Sequence, residues 1–368
     1  MISVNKTLLK GNEKKYLLKC LSDNWISSSG YFLNKFESGL SKYLNKKFAV
    51  SVSNGTAALE VAVNSLNLKK GDEIIMPTFT IISCANAIIK SGLKPVLVDC
   101  NYDDWNMDLN NIEEKITNRT RAILVVHIYG MSVNMKKIMQ IKKKYNLKII
   151  EDNSEGLGLD YDGKKCGSFA DITTLSFYAN KIVTTGEGGM VLCNKKSIYK
   201  RSLSIKNLFF KEPRFVHDEI GSNFRLTNLQ AALGLAQLET IKKSIKRKIE
   251  IGNLYNKLLE EISCINIPVK KNRYSKNIYW VYGIVLNNKC KLSKKTIMQR
   301  LKNKNIETRS FFSPMHTQPV YKKMGLFKGL KFKNSEMIYK KGFYLPCGIG
   351  ITNKEIFTVC KVLKKILN

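Results

Sequence analysis

The sequence predicts an α/β protein, with a large domain built on a mostly parallel sheet between helices and a smaller C-terminal α+β domain. Three observations carry that reading. Short β-branched runs alternate with segments of helical spacing from about residue 48 to 205. The first five of those runs are almost continuously apolar, as parallel strands buried on both faces are. Beyond a basic helical stretch at 228–262, the pattern changes to strand, helix, strand, helix.

Taken in order, FAVSVS (48–53) reads as the first strand and TAALEVAVNSL (56–66) as the helix behind it, the turn NGT opening that helix. EIIMP (73–77), PVLVD (95–99), RAILVVHIYG (121–130) and LKIIED (147–152) are further strands, with NMKKIMQIKKKY (134–145) a helix between the last two. DITTLSFY (171–178) and MVLCN (190–194) complete the set. NLQAALGLAQLETIKKSIKRKIEIGNLYNKLLEEI (228–262) reads as one long helix. After it, NIYWVYGIVL (277–286) reads as a strand, KKTIMQRLKNKN (294–305) as a helix, IETRSFF (306–312) as a strand and NKEIFTVCKVLKKIL (353–367) as a closing helix. The expected domains are therefore 1–245, including the N-terminal segment, and 246–368.

The chain has 368 residues, 44% hydrophobic and 25% charged, which excludes disorder as a whole. Its formal net charge of +33 comes from 62 Lys and Arg against 29 Asp and Glu. Only nine of the 62 are Arg, so the excess reads as a solvated lysine-rich surface, since phosphate and base recognition favours Arg. Nine cysteines stand singly, with no CxxC pair, which argues against a disulfide framework and a zinc ribbon. Three histidines, His127, His217 and His316, lie far apart, so no metal site is expected. With no signal-like or membrane-spanning apolar run, the expectation is a soluble protein of a reducing cytosol.

In open α/β sheets, ligands bind at the carboxyl ends of strands. Four strand ends here carry chemistry: Asn54-Gly55-Thr56 at a helix start, His127, Glu151-Asp152, and Ser176 followed by Asn180-Lys181 and Thr185-Gly186-Glu187-Gly188-Gly189. Singly each has an ordinary reading: Thr56 as a plain N-cap, Asp152 as a loop carboxylate, Lys181 as one more surface lysine. In this order they offer a phosphate cradle, a carboxylate and an amine. Pyridoxal phosphate needs that set: a phosphate anchor, an amine for its aldehyde and a carboxylate facing its ring nitrogen. The segment from Gly158 to Lys164 has P-loop spacing but is followed by Lys165, and Gly156-x-Gly158 and Gly348-x-Gly350 lack a third glycine, so all three read as turns.

SNGTAALEVAVNSL (53–66), GDEIIMPTFT (71–80), IIEDNSEGLG (149–158), GSFADITTLSFYANKIVTTGEGGMV (167–191) and GSNFRLTNLQAALGLAQLE (221–239) resemble the DegT/DnrJ/EryC1/StrS sugar-nucleotide aminotransferases, a group of fold type I pyridoxal phosphate enzymes. The resemblance runs through nearly the whole chain. It implies that Lys181 holds the cofactor aldehyde and moves the proton, that Asp152 pairs with the ring nitrogen and that Glu155 lies near the ring hydroxyl. It further implies that Gly55, Thr56 and Ser176 hold the phosphate. Asn223 corresponds to an asparagine lent to the partner's cofactor in a homodimer with composite sites. IETRSFFSPMHTQPVY (306–321) is similar to the segment beside the sugar nucleotide, placing Arg309 and His316 at the substrate end; His127, at its own strand end, is also expected to bind substrate. Two departures stand out: Ile81 occupies a position usually aromatic, where it would pack on the cofactor ring, and Asn153-Ser154 replaces small apolar residues.

The resemblance thus implies amino transfer from L-glutamate to a nucleotide-linked 4-keto-6-deoxyhexose, of the perosamine or viosamine type, with GDP, UDP or dTDP as carrier. Relatives that dehydrate the sugar carry His where Lys181 stands. Two alternatives remain at this point: a 3-keto substrate, or an idle fold whose basic surface binds nucleic acid.

Overall fold

The computed structural model describes residues 1–367. Its main sheet is built from the expected apolar runs: β1 (Phe48–Val52), β2 (Glu73–Pro77), β3 (Lys94–Val98), β4 (Thr120–Val126) and β5 (Lys148–Asp152). A short hairpin, β6 (Asp160–Tyr161) and β7 (Lys164–Lys165), absorbs the P-loop-like segment as a turn. β8 (Ile172–Ser176) and β9 (Gly189–Cys193) complete the sheet, in the order β1-β9-β8-β5-β4-β2-β3. Only β9 runs antiparallel to its neighbours, β1 and β8.

Helices cover both faces because the strands are apolar on both. α1 (Glu13–Ser22) and α2 (Tyr31–Tyr43) precede the sheet, and neither was anticipated. α3 (Gly55–Ser65), α4 (Ile82–Lys90) and α5 (Met135–Tyr145) connect its strands, and α6 (Lys196–Lys206) follows its last strand, β9. The expected long helix is two helices, α7 (Asn228–Glu239) and α8 (Ile241–Leu259), meeting at Thr240. α7 packs against α1 and α2, and a buried Asn228 binds the pieces together. Its Oδ1 accepts from the Phe32 and Leu33 amides at 3.1 and 3.3 Å, while its Nδ2 donates to the Trp25 carbonyl at 2.8 Å.

The C-terminal part holds an antiparallel sheet of β10 (Ile265–Asn266), β11 (Tyr282–Leu286), β12 (Arg309–Ser310) and β13 (Gly342–Leu345), in the order β10-β11-β13-β12. Around it lie α9 (Lys294–Lys302), α10 (Pro319–Lys323), α11 (Lys333–Lys341) and α12 (Asn353–Leu367). The strand expected from residue 277 begins only at Tyr282, because Tyr279 takes a left-handed φ of 52° that breaks an extended run. The first residues, expected with the large domain, touch both parts: Ile2 bridges Ile306 of this layer in parallel, while Asn5 and Thr7 donate to the Ala179 carbonyl of the large domain. One apolar cluster runs from β2, β4 and α3 through Tyr255 and Tyr282 to Leu363. Among the described residues, no helix is long and apolar enough to cross a membrane.

Candidate active site

A cleft of about 710 Å³ opens at the carboxyl ends of β1, β5 and β8, where the parallel sheet meets the C-terminal layer. At its floor the end of β1 turns into α3. Asn54 caps that helix, its Oδ1 accepting from the Ala57 amide at 2.8 Å. The first turn's other amides, on Gly55 and Thr56, have no intrahelical acceptor and line the cleft. Thr56 is not the cap; its hydroxyl meets that of Ser83 at 2.8 Å. Ser176, ending β8, presses against Gly55 so tightly that a Cβ there would stand 2.7 Å from the Ser176 Cβ. Bare amides at a helix N-terminus, a close hydroxyl and a glycine that lets backbone approach are the donor set a phosphate requires.

Asp152 ends β5, buried within the cleft wall. Its Oδ1 accepts from the Ser154 amide at 3.1 Å and the Thr174 hydroxyl at 3.3 Å, and its Oδ2 faces the Cys84 thiol at 3.5 Å. Lys181 follows β8 in a tight turn, its Nζ 3.9 Å from the centre of the Trp280 ring. Burial of the amine lowers its pKa, and the carboxylates of Glu155 and Asp152 oppose that shift. Glu155 is buried alongside and accepts from the Tyr129 amide at 2.8 Å. Burial pushes its pKa up to about 7, against the pull of Lys181. Cradle, carboxylate and amine therefore face one cavity, and the residues present fit pyridoxal phosphate. Ile81 stands at the same cavity, 38% exposed, in the place where aromatic packing was expected to be lost.

Arg309, on β12, reaches the opposite rim beside Tyr344. The two histidines assigned to substrate do not. His127 follows β4 but is fully buried, its Nδ1 accepting from the Val133 amide at 3.3 Å and its Nε2 meeting Glu151 Oε1 at 2.9 Å. The expected strand stops at Val126, and the ring just past it is held among Glu151, Cys166 and the Val133 amide, outside the lining of the cleft. His316 is also buried, bonded to Thr78 Oγ1 at 2.9 Å and Glu336 Oε1 at 3.0 Å, and lines a separate groove with Lys322 and Leu326. Asn223 is exposed, bridging Asn207 and outside this chain's own cleft.

His127, Glu151 and Cys166 come close enough to suggest a metal. Yet Glu151 Oε1 also accepts from the Gly167 amide at 2.6 Å, and Oε2 from the amides of Phe169 and Ala170 at 3.3 and 3.2 Å. A carboxylate already ringed by N–H donors is a structural clasp. Asn153 belongs to the same clasp, its Nδ2 donating to the Cys166 carbonyl at 2.9 Å.

Sequence reasoning missed the aromatic wall of the cleft: Trp280, Phe312 and Tyr344. It also gave no role to Asn180, whose buried Oδ1 has no partner. The three aromatic residues lie more than 90 positions after Lys181 and come to it only through folding.

The fold and this set of groups define a pyridoxal-phosphate-dependent aminotransferase of fold type I. The chain belongs to the DegT/DnrJ/EryC1/StrS aminotransferase family, which it matches over residues 8–364. It is 39% identical to the GDP-perosamine synthase of Escherichia coli O157:H7, over 99% of this chain and 98% of that one. It is 35% identical to the GDP-perosamine synthase of Vibrio cholerae, over 100% of both. The solved structure of Helicobacter pylori PseC, an aminotransferase involved in the biosynthesis of pseudoaminic acid, superposes with a TM-score of 0.93 at 26% identity, covering 100% of this chain and 99% of that one. The enzyme is a sugar aminotransferase, and its family implies a nucleotide-sugar substrate with an amino donor.

Proposed function

We propose that this enzyme transfers the amino group of L-glutamate to C4 of a nucleotide-linked 4-keto-6-deoxyhexose, GDP-linked in the first instance, giving the 4-amino-4,6-dideoxy sugar. The observation that carries the reading is whole-length likeness to two GDP-perosamine synthases, at 39% and 35% identity. Pyridoxal phosphate supplies the carbonyl carbon that carries the amino group and the ring that withdraws electrons. The amides of Gly55 and Thr56, with the Ser176 hydroxyl, hold its phosphate. With the cofactor bound, Asp152 would keep the ring nitrogen protonated, and Glu155 would be the carboxyl available to the ring hydroxyl. Lys181 Nζ, its pKa lowered by burial, takes and returns the proton in each half-reaction. Trp280, Phe312 and Tyr344 narrow the access of water, and Arg309 meets the pyrophosphate or sugar hydroxyls.

The same reading makes the enzyme a cytoplasmic homodimer in which Asn223 reaches the partner's cofactor phosphate. The test is incubation with glutamate and each of the GDP-, UDP- and dTDP-linked 4-keto-6-deoxyhexoses, with products identified by mass and NMR. Amination at C4 of the GDP sugar supports the reading; amination only at C3, or only of another nucleotide's sugar, overturns it.

A further inference from the structure

The Lys181 amine makes no hydrogen bond or ion pair among the described residues, so its position depends on the backbone that carries it. That backbone is held from two sides. Trp280 Nε1 donates to the Asn180 carbonyl at 3.1 Å, and the same ring covers the amine. On the other side, Asn5 Nδ2 and Thr7 Oγ1 both donate to the Ala179 carbonyl, each at 3.1 Å. A carbonyl has two lone pairs, and here both are taken by one short segment.

That segment is itself fastened elsewhere. The Ile2 amide donates to the Asn305 carbonyl at 2.7 Å, and the Glu307 amide to the Ile2 carbonyl at 2.9 Å. The Val4 amide donates to Glu307 Oε2 at 2.9 Å, and the amides of Cys347 and Gly350 donate to the carbonyls of Val4 and Lys6 at 3.1 and 2.9 Å. Gly348-x-Gly350, the motif read as a simple turn, has a reason here. A Cβ on Gly348 would stand 2.1 Å from the Lys6 amide nitrogen, and one on Gly350 3.0 Å from the Lys6 carbonyl oxygen. Only glycines let the strap lie this close. Lys248 Nζ, buried behind it, donates to the Cys347 carbonyl at 2.6 Å and stiffens the same turn.

We propose that Asn5 and Thr7 are positioning residues for catalysis: residues 2–7 form a strap from the C-terminal layer to the Ala179 carbonyl, fixing the backbone from which Lys181 projects. Neither side chain lines the main cleft that holds the phosphate cradle, and Asn5 adjoins Arg309 and Tyr344 only in a small separate pocket, so the strap is read through the glutamate half-reaction, in which proton transfer is isolated from the sugar nucleotide. A reacting group displaced by about 1 Å costs on the order of a hundredfold in rate. The proposal rests on Lys181 being the reacting amine, which Lys181→Ala tests separately.

The experiment compares the full-length holoenzyme with Asn5→Ala/Thr7→Val. The rate of the single-turnover glutamate half-reaction should fall by about tenfold to a hundredfold, with glutamate affinity nearly unchanged. The pH midpoint of the bound cofactor's visible absorbance should shift with it. Thr7→Ser alone, which keeps the donor, should behave as wild type. Gly348→Ala, which pushes the strap away without touching Ala179, should reproduce the rate loss and the midpoint shift. If the double variant does not fold, Asn5→Ala and Thr7→Val are read singly. Unchanged rate and midpoint in folded variants would overturn the proposal, as would a rate loss that follows melting temperature with no change in midpoint. In either case a Lys181→Ala enzyme without turnover would leave the role of Lys181 standing.

Discussion

Gly55 and Ser176 approach so closely that a Cβ on the glycine would lie 2.7 Å from the Ser176 Cβ and 2.9 Å from its Oγ. Two strand ends, from β1 and β8, thereby bring helix amides and a hydroxyl to one point. Gly55→Ala must move one of them, and alanine itself suits a helix start, so the damage is local. Cofactor affinity should fall by about tenfold or more, corresponding to one charge-assisted hydrogen bond of about 1.5–3 kcal/mol, with the melting temperature of the cofactor-free protein little changed. Equilibrium titration with pyridoxal phosphate measures it; wild-type affinity in the variant would refute the cradle.

Glu155 and Lys181 are coupled by charge, and the coupling has a pH signature. Burial raises the Glu155 pKa from 4.5 to about 7, so the folded chain keeps a proton that the unfolded chain releases. Its contribution to stability is complete below about 4.5 and is lost as pH rises through about 7. Lys181, with a lowered pKa, acts with the opposite sign, so the comparison is made against Glu155→Gln. In the cofactor-free protein, wild type should lose stability relative to the variant across this window. Denaturant unfolding at several pH values checks it, and a difference of the reverse sign would count against the buried carboxyl.

The three residues expected to meet substrate separate into two kinds. Arg309→Ala should slow the sugar-nucleotide half-reaction by about tenfold to a hundredfold and leave the glutamate half-reaction close to wild type, since the guanidinium sits at the far rim of the cleft. His127→Ala and His316→Ala should instead cost about 1–3 kcal/mol of stability each, because they strip buried partners from Glu151 and Thr78. Stopped-flow measurement of each half-reaction, with unfolding curves, distinguishes the two effects. A His316 variant of normal stability with a crippled sugar half-reaction would reverse its assignment.

The difference between Arg309 and the histidines shows where sequence reading ends. Gly55, Asp152, Ser176 and Lys181 each sit at the end of a strand whose apolar run is visible in the sequence, and strand direction alone aims them at one edge. His127 also follows such a run, but whether a side chain one residue past a strand points up or under depends on the turn. Here Tyr129 takes a φ of 53°, which no local pattern announces. The break at Thr240, the helices α1 and α2, and the strap at Asn5 and Thr7 escaped for a related reason. Each is fixed by contacts with residues some 200 positions or more away, or by a helix end too weakly marked to read: Asn228 to Phe32, Gly348 to Lys6.

The remaining prediction concerns a residue that this chain's cleft does not use. Asn223 is exposed and lies outside the cavity that its own Lys181 faces, although it belongs to a block, GSNFRLTNLQ, that resembles the family closely. Its backbone bridges Asn207, and on the proposed reading its side chain serves the cofactor of a second copy. Lys181→Ala and Asn223→Asp chains should each be inactive as pure proteins, the first for want of the amine, the second through a carboxylate that repels the phosphate. In a mixed dimer, one of the two sites combines Lys181 from one chain with Asn223 from the other. Mixing the two variants under conditions of subunit exchange should therefore restore up to about a quarter of wild-type activity: half the dimers would be mixed, with one competent site in each. Exchange is confirmed by mass spectrometry of the intact dimer. No recovery after confirmed exchange, with both parents inactive, would rule out the shared site.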